Sequence, residues 1–267
     1  MKIISLNAWG GQLYDPLDAW VSDTNPDVLC LQEVTRAPVP SPAWLHYRDP
    51  YRQLEQRSDL FGDISLLLPD HQSFFAAATR GTLFRDDATG FPSEHGLGLW
   101  VRRDLAVTHI VHDFIYGGYR HDGWGPEPVP RTMQVVRVAD PSTGQAVTIG
   151  HLHGLRDPVG KGDTPTRMDQ ADRIIKILQS VWRQSSSCVL AGDFNLNPDS
   201  ACFTALSGLG LTNMIARHHV TDTRTSFYQK EPRFADYMLV SSDLENAQFD
   251  VPASPEVSDH RPLILTL

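Results

Sequence analysis

The sequence predicts an α/β protein of the α+β type, in which β-sheets pack against each other and helices cover the outside. Short apolar runs rich in β-branched residues recur along the whole chain, whereas helical periodicity is confined to a few segments. At least one pair of runs is joined by a turn, as in a hairpin. Hairpins mixed with a few helices favour packed sheets over regular winding of alternating strands and helices.

Length and charge narrow the class further. The chain has 267 residues, of which 41% are apolar and 21% charged, so we predict one domain, residues 1–267, with a substantial core. Its net charge of −9 argues against broad binding of long nucleic acids. An acidic chain can still carry a local basic pocket or gather a divalent cation.

The expected cellular location is inferred from the membrane and secretion signals of the sequence and from its cysteines. No apolar run is long enough to span a membrane, and the N-terminus shows no signal-peptide pattern. The three cysteines, Cys30, Cys188 and Cys202, form no C-x-x-C pair and are expected to be buried, reduced thiols. We expect a cytoplasmic monomer.

The predicted strands follow the apolar runs in chain order. They lie at residues 2–9, 27–34, 96–103, 106–114, 132–140, 145–153, 188–194, 235–242 and 262–267. The runs 132–140 and 145–153 flank the turn sequence PSTG, which predicts a hairpin.

Helices are predicted at three places. The clearest spans residues 164–182, with Thr164 as its cap, Pro165 in its first turn and apolar residues on one face. Shorter helices are expected at 15–23 and 199–207. Two loops, 116–130 and 154–163, are long enough to suggest a functional role.

Polar side chains collect at the ends of the predicted strands. The segment VLAGDFNLNP places a carboxylate and a carboxamide directly after a buried run, and other runs end in the same way. The residues concerned are Asn7, Glu33, His151, Asp193, Asn195, Asp236, Asp259 and His260. Groups anchored on rigid strand ends are typical of precise sites, and their joint occurrence is what argues for function.

These residue types suit metal-assisted phosphoryl chemistry. A hard cation such as Mg²⁺ prefers oxygen ligands, which Glu33 could supply together with Asp259 or Asn7. Asp193 could act as a general base on water, and Asn195 could donate its amide to a phosphate oxygen or fix that base. A histidine, His260 or His151, could stabilise developing charge, with Asp236 orienting one imidazole.

The motif series resembles that of the endonuclease/exonuclease/phosphatase superfamily, which has the deoxyribonuclease-I-like fold. The segments SLNAWG, LCLQEV, GHLH, AGDFNLNPDS, ADYMLVSS and VSDHRPL occur in this order across nearly the whole chain. The resemblance implies a four-layer sandwich of two mixed β-sheets flanked by helices. It also implies Mg²⁺- or Mn²⁺-dependent hydrolysis of phosphate esters at one rim.

The resemblance also implies a role for each matched residue. The positions near the metal correspond to Glu33, Asn7 and Asp259, and the pair that handles the attacking water corresponds to Asp193 and Asn195. The phosphate-contacting histidines correspond to His151 and His260, and the carboxylate that orients the last histidine corresponds to Asp236. The usual threonine before the first histidine is replaced by Gly150, and Arg233 stands three residues before Asp236 rather than two. Arg131 occupies the place of a phosphate-facing arginine.

The substrate stays open at this stage. Tyr119 and Trp124, in a loop that also holds Arg120 and His121, could stack a base or nucleotide. We favour a phosphodiesterase acting on nucleic-acid ends, single strands or small phosphoesters, and keep a metal-dependent phosphomonoesterase of sugar or inositol phosphates as the alternative. A catalytically silent phosphate-binding module is a further alternative, although silent relatives usually lose residues that are all present here.

Overall fold

The computed structural model describes residues 1–48, 53–124, 128–184 and 186–267. Within them the strands are β1 Lys2–Asn7, β2 Val28–Arg36, β3 Trp44–Arg48, β4 Gln53–Arg57, β5 His71–Phe84, β6 Gly90–Arg102, β7 Ala106–Tyr116, β8 Arg131–Ala139, β9 Ala146–His153, β10 Ser187–Asp193, β11 Leu211–Asn213, β12 Asp236–Ser241, β13 Gln248–Asp250 and β14 Leu263–Thr266. The α-helices are α1 Tyr14–Thr24, α2 Leu60–Leu67, α3 Pro165–Val181, α4 Ala201–Ser207 and α5 Met214–Arg217.

The strands form two mixed sheets. In the described residues the first sheet has the order β13-β14-β1-β2-β6-β5-β3-β4, and the second has the order β11-β12-β10-β9-β8-β7. Most neighbours are antiparallel, but β1 is parallel to β2 and β9 is parallel to β10. The two parallel pairs are central in their sheets, and Asn7, His153 and Asp193 lie at carboxyl ends of their strands.

Side-chain alternation explains why the central strands are apolar on both faces. Ile3, Val28 and Cys30 point into the core between the two sheets, whereas Ile4 and Leu29 point into a second core on the opposite face of the first sheet. A strand buried on both faces reads as a continuous apolar run rather than as an alternating one. The segments IISL and VLCL have this pattern because they lie between two cores.

Helices cover the outer faces and complete four layers, as expected. Leu17 and Trp20 of α1 and Ile64 of α2 pack in the outer core of the first sheet, while α3 and α4 pack on the second sheet. The Thr164 hydroxyl accepts a hydrogen bond from the amide of Arg167, which confirms the predicted cap. No helix in the described ranges is long and apolar enough to cross a membrane.

The predicted strands are all present, and their ends differ by a few residues. The hairpin of β8 and β9 is confirmed, with Ala139 opposite Ala146. No sequence pattern predicted β3, β4, β5, α2 or the short elements β11, α5 and β13. The long strand β5, HQSFFAAATRGTLF, lacks two-residue periodicity because it owes its conformation to pairing with β6 along nearly its whole length.

Candidate active site

The parallel strand pairs bring the candidate residues to one rim. In the first sheet, Asn7 at the end of β1 lies opposite Gln32, the residue before Glu33. In the second, Asp193 at the end of β10 is in register with His153 on β9 and with Asp236 on β12. Because the carboxyl ends of parallel strands meet at the same edge, these residues lie close together, and Glu33, His153 and Asp193 line a common cavity of about 630 Å³.

Two glycines allow the backbones at this rim to approach closely. Gly192 has a φ of +143°, and a Cβ atom there would lie 2.1 Å from the carbonyl oxygen of Leu152. At Gly154 a Cβ atom would lie 2.3 Å from the carbonyl oxygen of Phe194. The glycine of GDFN therefore lets β10 pack against β9 just before Asp193.

Two non-glycine residues at the rim have left-handed backbone conformations. Glu33 has a φ of 54°, in the irregularity of β2 between Leu31 and Val34, and Asn195 also has a φ of 54°. Such conformations cost roughly 1–3 kcal/mol each and cluster at functional sites, where the surrounding structure maintains them. The bulge turns the Glu33 carboxylate towards the cavity.

Asp193 is a buried carboxylate held from two directions. Its Oδ2 accepts a 3.0 Å hydrogen bond from Nδ2 of Asn7, and its Oδ1 accepts a 2.9 Å bond from the amide of Asn195. Burial raises the pKa of Asp193, although the charges of His260 and Arg224 oppose the shift. A fixed carboxylate with a raised pKa is suited to accept a proton from water.

His260 and Asp236 form an oriented pair. Nδ1 of His260 lies 2.8 Å from Oδ2 of Asp236, and its Nε2 lies 3.8 Å from Oδ2 of Asp193. Burial raises the pKa of Asp236 to about 7, while Arg224 works in the opposite direction. Burial lowers the pKa of His260. The pair therefore presents Nε2 of the imidazole to the carboxylate of Asp193.

Of the two histidines on β9, His153 lies beside Asp193 and Glu33, whereas the sequence-predicted His151 does not. Nε2 of His153 lies 3.7 Å from Oδ2 of Asp193 and 3.9 Å from Oε1 of Glu33. Its Nδ1 lies 3.2 Å from Nη1 of Arg131, which donates to it. Burial lowers the pKa of His153 well below its ordinary value, with Arg131 acting in the same direction.

His151 lies deeper, between the sheets. Its Nε2 is 2.8 Å from Oε1 of Gln134, and its Nδ1 is 3.3 Å from Nε2 of Gln32. Burial lowers the pKa of its ring to about 3, which favours the neutral imidazole. Both histidines of GHLHG point to the same face of β9, but the second is about 7 Å nearer the rim, since a strand rises about 3.3 Å per residue. Counting from the strand end would have identified His153.

Glu33 and Asp259 are suited to hold a cation. Burial tends to raise the pKa of Glu33, but His95, His260, the side chain of Asn7 and Arg131 together lower it below its usual value. Oδ1 of Asp259 is buried and has no hydrogen-bond partner within the described ranges, although Oδ2 accepts from Arg224. A buried carboxylate oxygen without a donor fits a hard divalent cation.

The other carboxylates of the cluster are engaged elsewhere. Ligand atoms of Asp193, Asp236 and His260 lie within 4.8 Å of one another. Nδ1 of His260 already faces Asp236, however, so these residues are better placed for proton handling than for metal binding. Asn7 has both ends of its amide occupied, by Asp193 and by the amide of Trp9, so the geometry favours an orienting role for it.

The remaining predicted residues are placed as follows. Arg131 is buried in the cavity wall beside His153. Trp124 also lines the cavity, with its ring 5.9 Å from that of Tyr47. Tyr119 is 46% exposed and is not among the residues that line the cavity. Residues 125–127 of the loop 116–130 lie outside the described residues.

The second long loop, 154–163, forms part of the cavity wall. The Arg167 side chain of α3 donates to the carbonyl oxygens of Gly162 at 2.8 Å and Gly160 at 2.7 Å, which fixes the loop from below. Arg156 and Lys161 of the loop line the cavity. Asp157 of the loop lines the cavity as well, so the loop contributes two cationic side chains and one anionic side chain to the wall.

Three cavity residues carried no signal in the sequence. Arg224 contacts both Asp259 and His260, and Trp9 and Phe227 form an aromatic pair with ring centroids 6.0 Å apart. Arg224 and Phe227 lie in a segment without regular strands or helices between α5 and β12, where periodicity predicts nothing. Trp9 is the last residue of the SLNAW segment, which was interpreted only as part of a strand.

Comparison with known proteins gives the family and the fold. A profile described as the Endonuclease/Exonuclease/phosphatase family matches residues 4–260. No curated protein matches the chain significantly.

Several solved structures share the fold. The mannosyl-6-phosphatase of Bacteroides thetaiotaomicron has a TM-score of 0.65 at 15% identity, covering 100% of this chain and 98% of its own. The human Nocturnin catalytic domain with bound sulfate has a TM-score of 0.62 at 14% identity, covering 99% and 92%. TDP2 of D. rerio, complexed with single-strand DNA product, has a TM-score of 0.60 at 14% identity, covering 99% and 97%.

Proposed function

The chain belongs to the Endonuclease/Exonuclease/phosphatase family, and from this membership we propose that it is a divalent-metal-dependent phosphodiester hydrolase. The main support for the proposal is that possible metal ligands and possible proton-transfer groups line the same cavity. Glu33 and Asp259 offer oxygen ligands, while Asp193 and His260 are held by hydrogen bonds from neighbouring strands. Phosphoryl transfer depends on positioning and charge stabilisation, which such an arrangement supplies.

The proposed mechanism is a single in-line displacement. Glu33 and Asp259 would hold Mg²⁺ or Mn²⁺, which when bound supplies positive charge against the phosphate oxygens. Asp193 accepts a proton from the attacking water, helped by the raised pKa of its buried carboxyl. Asn7 and Asn195 fix the two oxygens of that carboxylate, so the water is held in one orientation.

His153 donates Nε2–H to a phosphoryl oxygen, because the Nδ1 atom of its ring accepts from Arg131, and His260 adds a second donor when its imidazole is protonated. His260 is oriented by Asp236, and His153 is oriented by Arg131. As the bond from the water oxygen to phosphorus forms, the bond to the leaving alcohol breaks. The leaving alkoxide takes a proton from solvent, and Asp193 releases the proton it took from the water to solvent, so the carboxylate is regenerated.

The cavity supports a small or single-stranded substrate. Its volume of about 630 Å³ is in the range typical of small-molecule sites. Duplex binding depends on many phosphate contacts, which an acidic chain does not provide. The aromatic rings of Trp9, Phe227 and Trp124 in the lining could pack against a base or another ring of the alcohol groups.

A phosphomonoesterase is the second candidate. It is favoured by basic groups of the lining, Arg156 and Lys230 among them, which suit the extra charge of a monoester. The likeness to a mannosyl-6-phosphatase is compatible with this activity. The three unpaired, buried cysteines agree with a reducing compartment, and we propose a cytoplasmic location.

The test is a hydrolysis panel with and without metal. The purified protein is incubated with Mg²⁺ or Mn²⁺, or with EDTA, and given bis-(p-nitrophenyl) phosphate, p-nitrophenyl phosphate, labelled single- and double-stranded nucleic acids, and an inositol phosphate. Asp193→Asn is assayed beside Asp172→Asn, a matched change of an exposed aspartate on α3. We expect metal-dependent cleavage that only Asp193→Asn abolishes.

The substrate preference separates the candidates. Faster cleavage of the diester supports a phosphodiesterase, and faster cleavage of the monoester supports a phosphatase. Full turnover by Asp193→Asn would refute the proposed mechanism. Binding of metal and phosphate without turnover of any ester would favour a silent binding module.

A further inference from the structure

Arg224 lies at the centre of the site, although no sequence pattern identified it. Its side chain is buried, and its Nη1 donates to Oδ2 of Asp259 at 2.9 Å and also contacts Nε2 of His260. We propose that Arg224 is a further catalytic residue, which binds a non-bridging oxygen of the scissile phosphate. This inference depends on the proposed hydrolase function.

The guanidinium is held in place from several sides. The amide of Arg224 donates to Oδ1 of Asp222 at 2.7 Å, and its carbonyl oxygen accepts from Nε of Arg261 at 2.8 Å. A single β-bridge joins residue 224 to His260. The ring of Tyr228 lies 4.2 Å from the guanidinium carbon and covers it. A long side chain fixed in this way loses little entropy when it binds an anion.

The carboxylates around Arg224 would repel an anionic phosphate, and the guanidinium offsets this repulsion. Asp193, Asp236, Asp259 and Glu33 place several carboxylates close to the point where an anionic phosphate would have to bind. One bound cation offsets only part of this charge, so a permanent positive group is needed beside it. Arginine stays protonated in such surroundings and matches phosphate oxygens with a planar set of donors.

Arg224 also has donor capacity that the described residues leave unused. Its Nε is buried and has no hydrogen-bond partner within the described parts of the chain. Buried polar groups are nearly always paired, so an orphaned donor indicates an acceptor that is missing from the structure. The residue lines the cavity, which makes a phosphate oxygen the acceptor of matching chemistry.

Two cationic residues near Arg224, Lys161 in the cavity wall and Arg233 outside it, are engaged in structural contacts. Lys161 contacts the carbonyl oxygen of Phe234 and lies 3.4 Å from that of Pro232. Arg233 donates to Oδ2 of Asp222 at 2.9 Å and to the carbonyl oxygen of Tyr228 at 2.6 Å. Arg224 is distinguished from both by its contact with the catalytic histidine and the proposed metal ligand.

The test compares Arg224→Ala and Arg224→Lys with Arg217→Ala, a matched change of a partly exposed arginine on α5 that does not line the cavity. Three quantities are measured: kcat and KM for the best ester of the panel, the Kd of inorganic phosphate in the presence of Mn²⁺, and the thermal unfolding temperature. Added guanidinium ion is tested for rescue of Arg224→Ala. Phosphate binding is measured by calorimetry, so it does not depend on turnover.

We expect Arg224→Ala to bind phosphate at least about tenfold more weakly and to lose roughly 10²–10³ in kcat/KM, the usual effect of removing one donor to the transition state. Guanidinium ion should restore part of the activity, and lysine should restore little because it lacks the planar fork. Arg217→Ala should resemble the wild type. Unfolding temperatures close to that of the wild type would exclude a merely structural effect.

Two results would overturn the assignment. Unchanged phosphate binding by folded Arg224→Ala would show that the guanidinium does not contact the phosphate. A gain in Mn²⁺ affinity or in activity would show that Arg224 competes with the cation for Asp259. A wild type that binds phosphate but hydrolyses no ester would instead contradict the hydrolase function, and the binding comparison would still decide the role of Arg224.

Discussion

The Nδ2 atom of Asn7 donates a 3.0 Å hydrogen bond to Oδ2 of Asp193 and so joins two strand ends that are 186 residues apart in the chain. Asn7 ends β1 in the first sheet and Asp193 ends β10 in the second. The proposed base therefore has its position fixed by the packing of one sheet on the other. A site at a seam of this kind depends on the fold as a whole.

Loss of this hydrogen bond should slow the reaction. We expect Asn7→Ala to lower kcat by about 10–10³-fold, because an unheld carboxylate no longer aligns the water and small misplacements are costly. Steady-state kinetics on the best ester of the panel measures the change. Asn246→Ala, at an exposed position, is the control, and equal kcat values for the two variants would contradict the role of Asn7.

The two histidines of β9 should have different roles. His153→Ala should lower kcat/KM by roughly 10²–10³ while leaving the unfolding temperature nearly unchanged, because the ring lies beside Asp193 and Glu33 at the cavity. His151→Gln should keep most of the activity. Both variants are assayed under identical conditions. Loss of activity in His151→Gln with full activity in His153→Ala would support the original prediction that His151 contacts the phosphate.

The sequence predicted the layers better than the site. Continuous apolar runs such as VLCL identify central strands, because a strand that is buried on both faces has an apolar residue at every position. Glu33 and Asp193 were predicted as site residues because they end such runs, and Asp259 and His260 because they precede one. Arg224 was not found, since its segment owes its shape to hydrogen bonds with distant partners such as Arg261, which no local periodicity records.

The buried imidazole of His151 should make stability depend on pH. Burial lowers its pKa from 6.5 to about 3, so below pH 6.5 the unfolded chain binds a proton that the folded chain does not. Its contribution to stability is therefore complete above pH 6.5 and is lost progressively as the pH falls towards 3. The slope is about 1.4 kcal/mol per pH unit once the unfolded imidazole is mostly protonated.

His151→Gln should remove this slope. Urea unfolding at about pH 5.5 and 4.5 gives the free energy of unfolding at each pH, and we expect the wild type to lose about 1.4 kcal/mol more than the variant over that interval. His109→Gln, at an exposed histidine, should follow the wild type. Parallel pH profiles for wild type and His151→Gln would mean that the ring is protonated or solvated in the folded protein.

The aromatic pair at the cavity should affect binding more than chemistry. Phe227 is 49% exposed and packs against Trp9, which is typical of a ring platform rather than a core contact. Phe227→Ala should raise KM about 3–10-fold for an ester with a ring and leave kcat nearly unchanged, since stacking contributes about 1–3 kcal/mol when fully formed. Leu66→Ala, an exposed apolar control that is 82% accessible, should change neither constant. An effect on kcat alone would exclude a binding platform.

Gly192 should be the least replaceable glycine of the rim. Its φ of +143° is unfavourable for any side chain, and a Cβ atom would lie 2.1 Å from the carbonyl oxygen of Leu152 in the neighbouring strand. The atom in the way belongs to the backbone of β9, which cannot rotate aside as a flexible side chain can. Gly192→Ala should therefore force β10 away from β9. We expect a loss of about 3–5 kcal/mol in the free energy of unfolding.

Gly118→Ala is the matched control, because no atom lies within 4 Å of a Cβ at that position, and it should change stability by less than about 0.5 kcal/mol. Urea unfolding of both variants gives the comparison. Activity gives an independent readout, since separation of the two strands also separates Asp193 from His153, which are in register across them. If Gly192→Ala were as stable and as active as Gly118→Ala, the close approach of β9 and β10 could not be what positions the catalytic carboxylate.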